Sequence, residues 1–367
     1  MTASGRTAGT NQRYLKYDLI RVIAVCTVLI GHISAYMVVH FPEPSGAAFR
    51  TGIIFDCIGA VCIPLFLMLS GALLLDEKRS FHVGHCFRRN YVSIALSLAF
   101  WLTFYAAWRG ILLPVLKGNP PDTHVFFRYF LVFDGDFPHL WYLFMLLGIY
   151  PAVPILRLFV KTENRRYILG IILFALLVRF IPFNAGILTS GSEYSVQAFM
   201  DKFYIQYVSE KIAYLLIGWY LSVFPPAGMK KALLITAGAA AACGNMLLIL
   251  RLMAENPDIL GFISNKSTTM LLYGAALFTL LLSVCKEKTT ENQAVRLLSD
   301  ASFGIYIMRV LVLEILTELL LPYEAFHGHS PLLYILALFA VTGIVSFGIV
   351  LALSRVSGLR RLLHYRG

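Results

Sequence analysis

The sequence predicts an all-α integral membrane protein with about ten transmembrane helices and with both its N- and C-termini in the cytoplasm. Of the 367 residues, 58% are hydrophobic and only 14% are charged, whereas soluble domains carry roughly 25% charged residues. One soluble core cannot hide so large an apolar excess, while a bilayer can accommodate it. Lys and Arg residues are concentrated in alternate loops, which predicts the orientation.

Ten apolar stretches approach the length of about 20 residues that spans a bilayer. Each is predicted to be helical, because a lipid-exposed backbone must satisfy its own hydrogen bonds. The gaps are mostly short and contain charge, proline or glycine, which favours one polytopic domain without an attached soluble domain. In chain order, the stretches lie near residues 18–40, 51–75, 89–109, 139–160, 166–184, 207–224, 231–252, 268–285, 300–321 and 331–354.

The loop charges predict which side each segment faces. With the N-terminus inside, the predicted cytoplasmic segments hold 20 Lys and Arg residues and the predicted outer segments hold 7. This split follows the positive-inside rule and accounts for the formal net charge of +11. We therefore expect no nucleic-acid partner. We expect a disordered cytoplasmic tail over residues 1–12, a basic cytoplasmic tail over 359–367, and a first helix that is too long for a cleaved signal peptide.

The first predicted helix contains three ionisable residues, Asp18, Arg21 and His32. An ionisable side chain at the centre of a membrane costs at least about 2.5–3.5 kcal/mol, so it usually faces a cavity and has a function. Arg21 and His32 share a helix face about 16 Å apart, and Asp18 lies on the same side, where pairing with Arg21 is expected. The alternatives are a snorkelling anchor for Arg21 and an interhelical hydrogen bond for His32.

Two later helices contribute polar and aromatic side chains. His139, Trp141 and Tyr142 begin the fourth helix, and aromatic rings with polar tips suit sugar rings, although interfacial belts use the same residues. Tyr306 and Arg309 share one face of the ninth helix with Ser302. We expect that face either to line a cavity or to pack against a neighbouring helix.

Several segments resemble the membrane acyltransferase-3 family. "YDLIRVIAVCTVLIGH" (17–32) is similar to the family's first helix, in which an Asp, an Arg and, after ten residues, a His recur. "VCIPLFLMLSGALLL" (61–75) and "HLWYLFMLLGIYPAVPIL" (139–156) resemble its next two hallmark segments. "KIAYLLIGWYLS" (211–222) and "SFGIYIMR" (302–309) resemble two later helices. Each match is weak alone, but together they follow the family order across almost the whole chain.

The resemblance implies an acyltransferase-3-like transmembrane domain over residues 13–358, in the inner (plasma) membrane. It implies transfer of an acyl group, usually acetyl, from cytoplasmic acyl-CoA to a hydroxyl of a cell-envelope polysaccharide or lipid-linked sugar. It implies that His32 is catalytic, as a base or as an acyl carrier. It also implies that Arg21 and the basic start of the third helix, Arg88 and Arg89, meet the CoA, while positive-inside topology is the alternative role for the last two.

The remaining assignments follow from that reading. Asp18 is expected to support Arg21, and the acceptor is expected to meet residues of the fourth and ninth helices. No bound cofactor and no metal are expected, because acyl-CoA is a co-substrate and no metal motif is present. The residues predicted on the acceptor side are His139, Trp141, Tyr142, Tyr306 and Arg309.

The chain departs from the family pattern at two places. The family often has an RxxR pair where the third helix begins, whereas this chain has adjacent Arg88 and Arg89 and Val92 at the expected second position. The family commonly has a His where this chain has Arg309, a change that could alter the acceptor.

The alternative function is a transporter or flippase of a lipid-linked sugar or small solute, with the same buried charges lining the substrate path. No pair of interrupted half-helices marks such a path in the sequence. A purely structural or sensory membrane protein has no reason to align Asp18, Arg21 and His32 on one face. The acyltransferase reading is therefore preferred.

Overall fold

The computed structural model describes residues 13–43, 45–128, 139–188, 199, 202, 206–284, 292–320 and 330–365. Within these ranges the fold is all-helical and contains no β-strand. The predicted tail of residues 1–12 lies outside the described residues, as do most of the outer loop at 129–138 and the segment at 189–198.

The α-helices follow the predicted apolar stretches, and several are joined end to end by π- or 3₁₀-helical turns. The α-helices are α1 Leu15–His40, α2 Ala47–Gly59, α3 Cys62–Leu74, α4 Val83–His85, α5 Val92–Ala107, α6 Leu113–Leu116, α7 Thr123–Phe127, α8 Trp141–Ile149, α9 Ala152–Phe159, α10 Arg165–Ala175, α11 Ile181–Leu188, α12 Gln206–Val223, α13 Gly228–Leu252, α14 Thr268–Val284, α15 Gln293–Ile315, α16 Pro331–Leu353 and α17 Ser357–Leu362. The π-helical turns are Cys86–Tyr91, Trp108–Leu112, Leu176–Phe180 and Leu316–Leu320, and the 3₁₀-helices are Thr162–Asn164 and Pro257–Ile263.

The membrane prediction is supported, while the count of ten stays a prediction. Among the described residues, seven helical segments are long and apolar enough to cross a membrane, or eight if the bent pair α8 and α9 forms one span. The other two predicted spans coincide with α12 and α15, which are helical as expected. Charged residues such as Lys211 in α12, and Asp300 and Arg309 in α15, make these two helices more polar than the rest.

Proline explains the bend between α8 and α9. The two helices meet at Tyr150 and Pro151 at an angle of 48°. Pro151 has no backbone N–H to donate, and its ring clashes with the preceding turn, so a straight helix is disfavoured there. The two helices therefore run in different directions, and His139 lies just before the start of α8.

Helix α1 is central to the packing. It packs against α2, α3, α15 and α16, and its buried residues include Ile20, Ala24, Ile33 and Met37 as well as the charged Asp18. The helix ends at His40, before Pro42 and Pro44, as expected for a chain that cannot continue a helical hydrogen-bond ladder through proline.

Helices α3 and α12 cross at backbone contact. A Cβ atom added to Gly71 would lie 1.9 Å from the Leu215 carbonyl oxygen, and one added to Gly218 would lie 1.9 Å from the Met68 carbonyl oxygen. Small residues permit such close approach between membrane helices. The apolar residues beside the crossing, such as Tyr214 and Trp219, are fully buried in the largest core cluster.

The described part of the predicted basic tail packs on the bundle. Ser97 of α5 donates from Oγ to the Leu362 carbonyl oxygen at 3.0 Å, and its Oγ lies 3.2 Å from His364 Nε2. Leu363 is fully buried. The segment from Leu362 to His364 therefore packs against the first half of α5.

Candidate active site

Two neighbouring cavities lie along α1. The deep cavity has a volume of about 210 Å³, and the basal cavity, around the first turns of α1, has a volume of about 460 Å³. Arg21, Leu146 and Phe303 line both cavities. The side chain that marks the boundary on α1 is therefore Arg21.

The deep cavity brings together residues that are far apart in the chain. Of the predicted site residues, helix α1 contributes Arg21 and His32, the segment at the start of α8 contributes three, and α15 contributes two. The predicted site residues that line it are Arg21, His32, His139, Trp141, Tyr142, Tyr306 and Arg309.

His32 reaches this cavity because of helix geometry. It lies eleven residues after Arg21 on the same face of α1, which places it about 16 Å further along the helix. Its ring is half-buried. A half-buried imidazole in a cavity is suited to proton transfer, because it can reach a bound molecule while most water is excluded.

Asp18 lies at the basal cavity and organises its basic residues. Its carboxylate accepts hydrogen bonds from Arg13 Nε at 2.7 Å, from Ser299 Oγ at 2.7 Å and from Arg21 Nη1 at 3.4 Å. The expected Asp18–Arg21 pair is thus present. Arg13 also bridges to Asp300, whose carboxylate oxygen lies 3.0 Å from Arg13 Nη1.

Arg13, which precedes α1, forms ion pairs with two carboxylates, that of Asp18 in α1 and that of Asp300 in α15. Partial burial alone would lower the pKa of Arg13, but its hydrogen bonds and charge interactions with Asp18 and Asp300 raise that pKa above its ordinary value. Arg13 therefore stays cationic. It links the first helix to α15 through ion pairs.

Arg309 is a buried cation. Its residue is 1% exposed, its guanidinium carbon lies 4.6 Å from the centre of the Tyr306 ring, and its Nη1 donates to the Tyr306 carbonyl oxygen. The Nε and Nη2 atoms have no hydrogen-bond acceptor among the described residues. The guanidinium is thus held in place through one nitrogen only.

An aromatic cluster surrounds His139. The Tyr306 hydroxyl donates to the His139 carbonyl oxygen, and the rings of Tyr105 and His139 are 4.5 Å apart in an edge-to-face arrangement. The Tyr142 ring lies 5.7 Å from that of Tyr306. These contacts bind α15 to the start of α8 and give the cavity an aromatic wall.

Trp141 differs from its neighbours because it is 38% exposed. Lys211 Nζ of α12 lies 5.9 Å from the centre of its ring, and the same Nζ is 2.6 Å from Glu210 Oε1. Trp141 therefore forms a rim of the deep cavity, where a polar molecule would first meet an aromatic surface.

Two CoA contacts are predicted at the start of the third apolar stretch, and the one whose side chain the structure describes does not line either cavity. Arg88 is exposed on the π-helical turn Cys86–Tyr91 and lies outside the described lining of both cavities. The side chain of Arg89 is outside the described part of the chain. The nearby residues that do line the basal cavity are Arg79 and Asn90.

Sequence reasoning missed several lining residues. Arg13, Arg79 and Asn90 of the basal cavity, and Cys62 and Phe66 of the deep cavity, were not singled out. Arg13 and Arg79 have the pattern of ordinary positive-inside loop charges, and nothing else in the sequence distinguishes them. Cys62 and Phe66 belong to the hallmark segment at 61–75, so that resemblance was a usable signal. The described residues hold no group of three or more metal-ligating side chains.

Comparison with known proteins gives one match. The family described as "Acyltransferase domain" matches residues 14–351. This range contains all of the deep-cavity residues, and all of the basal-cavity residues except Arg13 and His364. Neither curated proteins nor solved structures gave a significant match.

Proposed function

Because this chain belongs to the acyltransferase-3 family, which it matches over nearly its whole length, we propose that it is an O-acyltransferase with its reaction centre in the deep cavity. The family makes it a multi-pass membrane acyltransferase. The donor we propose is acetyl-CoA or another acyl-CoA. The acceptor we propose is a hydroxyl of a cell-envelope polysaccharide or lipid-linked sugar.

One observation supports the proposal most strongly: His32 shares a cavity with five predicted site residues from the start of α8 and from α15, and that cavity adjoins a larger one lined by three arginines. Arg13, Arg21 and Arg79 line the basal cavity. CoA is polyanionic, and arginine forms charge-assisted, often bidentate hydrogen bonds with phosphate. The basal cavity is therefore the candidate site for the nucleotide end of the donor.

The acyl end of the donor would then meet the acceptor hydroxyl beside His32. The imidazole accepts the hydroxyl proton while the oxygen attacks the thioester carbonyl carbon. The tetrahedral intermediate collapses, the carbon–sulfur bond breaks, and the CoA thiolate takes the proton back from the imidazolium. In the alternative route, His32 attacks the thioester first and carries the acyl group to the acceptor.

The acceptor would enter over the aromatic residues. Trp141 is exposed at the rim, and Tyr142 and Tyr306 lie deeper. Such rings offer flat apolar surfaces to sugars, while the tyrosine hydroxyls offer hydrogen bonds.

The test is acyl transfer from radiolabelled acetyl-CoA in membranes. His32→Ala is expected to lower the transfer of label to envelope carbohydrate by roughly 10²–10⁴-fold, the usual contribution of a general base. His40→Ala is the matched control, since His40 lies at the end of the same helix, is exposed, and stacks on Tyr36 with 3.9 Å between ring centres. Its transfer rate is expected to equal that of the wild type.

Two results would contradict parts of the proposal. Equal labelling by the wild type and His32→Ala would support the acyltransferase function but exclude His32 from the mechanism. No labelling by either protein, with both inserted normally and with several acyl-CoA donors tried, would favour the transporter alternative.

A further inference from the structure

The buried charge of Arg309 has no counter-charge among the described residues that line the deep cavity. The described lining of that cavity contains two arginines, Arg21 and Arg309, and neither Asp nor Glu. Arg21 is paired with Asp18, whereas Arg309 forms no ion pair within the described residues. An isolated buried cation costs several kcal/mol, so its presence in a cavity calls for an explanation.

The nearest acidic residue of α15 is already engaged. Glu314 accepts hydrogen bonds from Trp108 Nε1 at 2.8 Å and from Arg109 Nε at 3.0 Å. At the other end of α15, Asp300 is bridged to Arg13. Within the described residues, the helix therefore has two neutralised acidic positions, and the cation between them, Arg309, forms no ion pair.

The geometry of the guanidinium identifies the ligand chemistry. The two nitrogens that lack an acceptor, Nε and Nη2, form one edge of the planar fork, and that edge can donate two parallel hydrogen bonds to the two oxygens of a carboxylate. The third nitrogen donates to the Tyr306 carbonyl oxygen, and the Tyr306 ring lies against the guanidinium. The fork is thus held in a fixed orientation before any ligand arrives.

We propose that Arg309 binds a carboxylate of the substrate in the deep cavity. The inference rests on the proposed acyl-transfer function and names a substrate class within it. The cavity volume of about 210 Å³ leaves room for several water molecules. A short acyl chain that ends in a carboxylate, or the acidic part of one uronic acid ring, has about the right size.

The carboxylate has two possible sources, the acyl group and the acceptor, and binding measurements distinguish them. The wild-type protein in lipid nanodiscs is titrated with acetyl-CoA and succinyl-CoA as the donor pair, and with glucose and glucuronate as the acceptor pair. In one of the pairs, the member with the extra carboxylate is expected to bind about ten- to a hundredfold more tightly, the usual worth of a hydrogen-bonded charge.

Substitutions of Arg309 test whether this residue causes the preference for the ligand that carries the extra carboxylate. Arg309→Gln is expected to abolish the preference for the carboxylate, and Arg309→Lys to retain part of it, because lysine keeps the charge but loses the fork. The matched control is Arg166→Gln, which removes one exposed positive charge from the surface and should leave the preference unchanged. Replacement of Arg309 strands no partner carboxylate within the described residues, so the variants are expected to insert and fold normally.

Three outcomes would overturn the proposal. These are the absence of a preference in both pairs, a preference that persists in Arg309→Gln, and an equal loss of affinity for charged and neutral members. Binding does not require turnover, so these outcomes are independent of the labelling test. A protein that transfers no acyl group but still shows the Arg309-dependent preference would contradict only the proposed function.

Discussion

Asp18 is the residue on which the basal cavity depends most. Its side chain is 1% exposed and interacts with two arginines whose side chains are 29% and 25% exposed. The hydroxyl of Ser299 supplies a third hydrogen bond at 2.7 Å. A single carboxylate thus fixes the start of α1 against α15 and determines where Arg13 and Arg21 lie.

Asp18→Asn is expected to destabilise the protein by roughly 2–3 kcal/mol. Breaking a fully buried ion pair costs about 3–5 kcal/mol, and the partial exposure of the two arginines reduces that cost. The measurement is the thermal unfolding temperature of the purified protein in detergent, which should fall by several degrees. The control is Asp258→Asn, which changes an exposed position. An equal fall in unfolding temperature in the two variants would contradict a structural role for Asp18.

The sequence alone could predict which residues of α1 and α15 share a face. Rotation by 100° per residue places Arg21 and His32 together, and a spacing of three places Tyr306 beside Arg309. It could not predict that Arg79 rather than Arg88 lines the basal cavity. Both arginines lie in one basic stretch, where the positive-inside rule and anion binding produce the same pattern.

At the scale of helices, the crossing of α3 and α12 is the tightest contact we describe. The two backbones touch at Gly71 and Gly218, which leaves no room for a side chain at either position. Helix α3 also packs on α1, and Phe66 from the same helix lines the deep cavity. The crossing therefore helps to hold one wall of the candidate site.

Gly71→Ala and Gly218→Ala are each expected to prevent normal folding. A methyl group at either position would lie 1.9 Å from a backbone carbonyl oxygen, and a backbone cannot give way as a flexible side chain does. The yield of monodisperse protein on size-exclusion chromatography measures the effect. Gly170→Ala is the control, because its added methyl group meets no atom within 4 Å. A normal yield of Gly71→Ala would show that the two helix backbones are not in contact at Gly71.

Most helix positions could be predicted from the apolar stretches, while the breaks within them could not. The stretch predicted at 51–75 is divided into α2 and α3 around Ala60 and Val61. That at 139–160 is bent at Pro151, where proline was a usable signal. Hydropathy records only whether a residue favours lipid, so a short turn shielded by neighbouring helices leaves no trace in it.

For the whole molecule, the orientation in the membrane is a prediction from charge alone. The predicted cytoplasmic segments hold 20 Lys and Arg residues against 7 outside, and such a bias sets the topology of most multi-pass proteins. The predicted orientation would put the basal cavity on the cytoplasmic side, where the proposed acyl-CoA donor is available. The proposed donor site and the predicted topology are therefore consistent with each other.

Reporter fusions test that orientation. Green fluorescent protein fused to the C-terminus is expected to fluoresce, and alkaline phosphatase at the same position is expected to be inactive, because the first folds in the cytoplasm and the second needs disulfides formed outside. Fusions to the loop near Lys117 should give the reverse pattern. An active phosphatase at the C-terminus would place the basal cavity on the outer side, away from CoA.

The boundary between the two cavities has a consequence for the order of binding events. Three side chains, Arg21, Leu146 and Phe303, belong to both linings, so the two cavities adjoin at these side chains. A donor with its nucleotide end in the basal cavity would have to pass these side chains to bring its acyl end to His32, whereas the proposed acceptor would enter the deep cavity over Trp141. In the direct-transfer route the two reactants would thus approach His32 from different sides, so that neither would block the entry of the other.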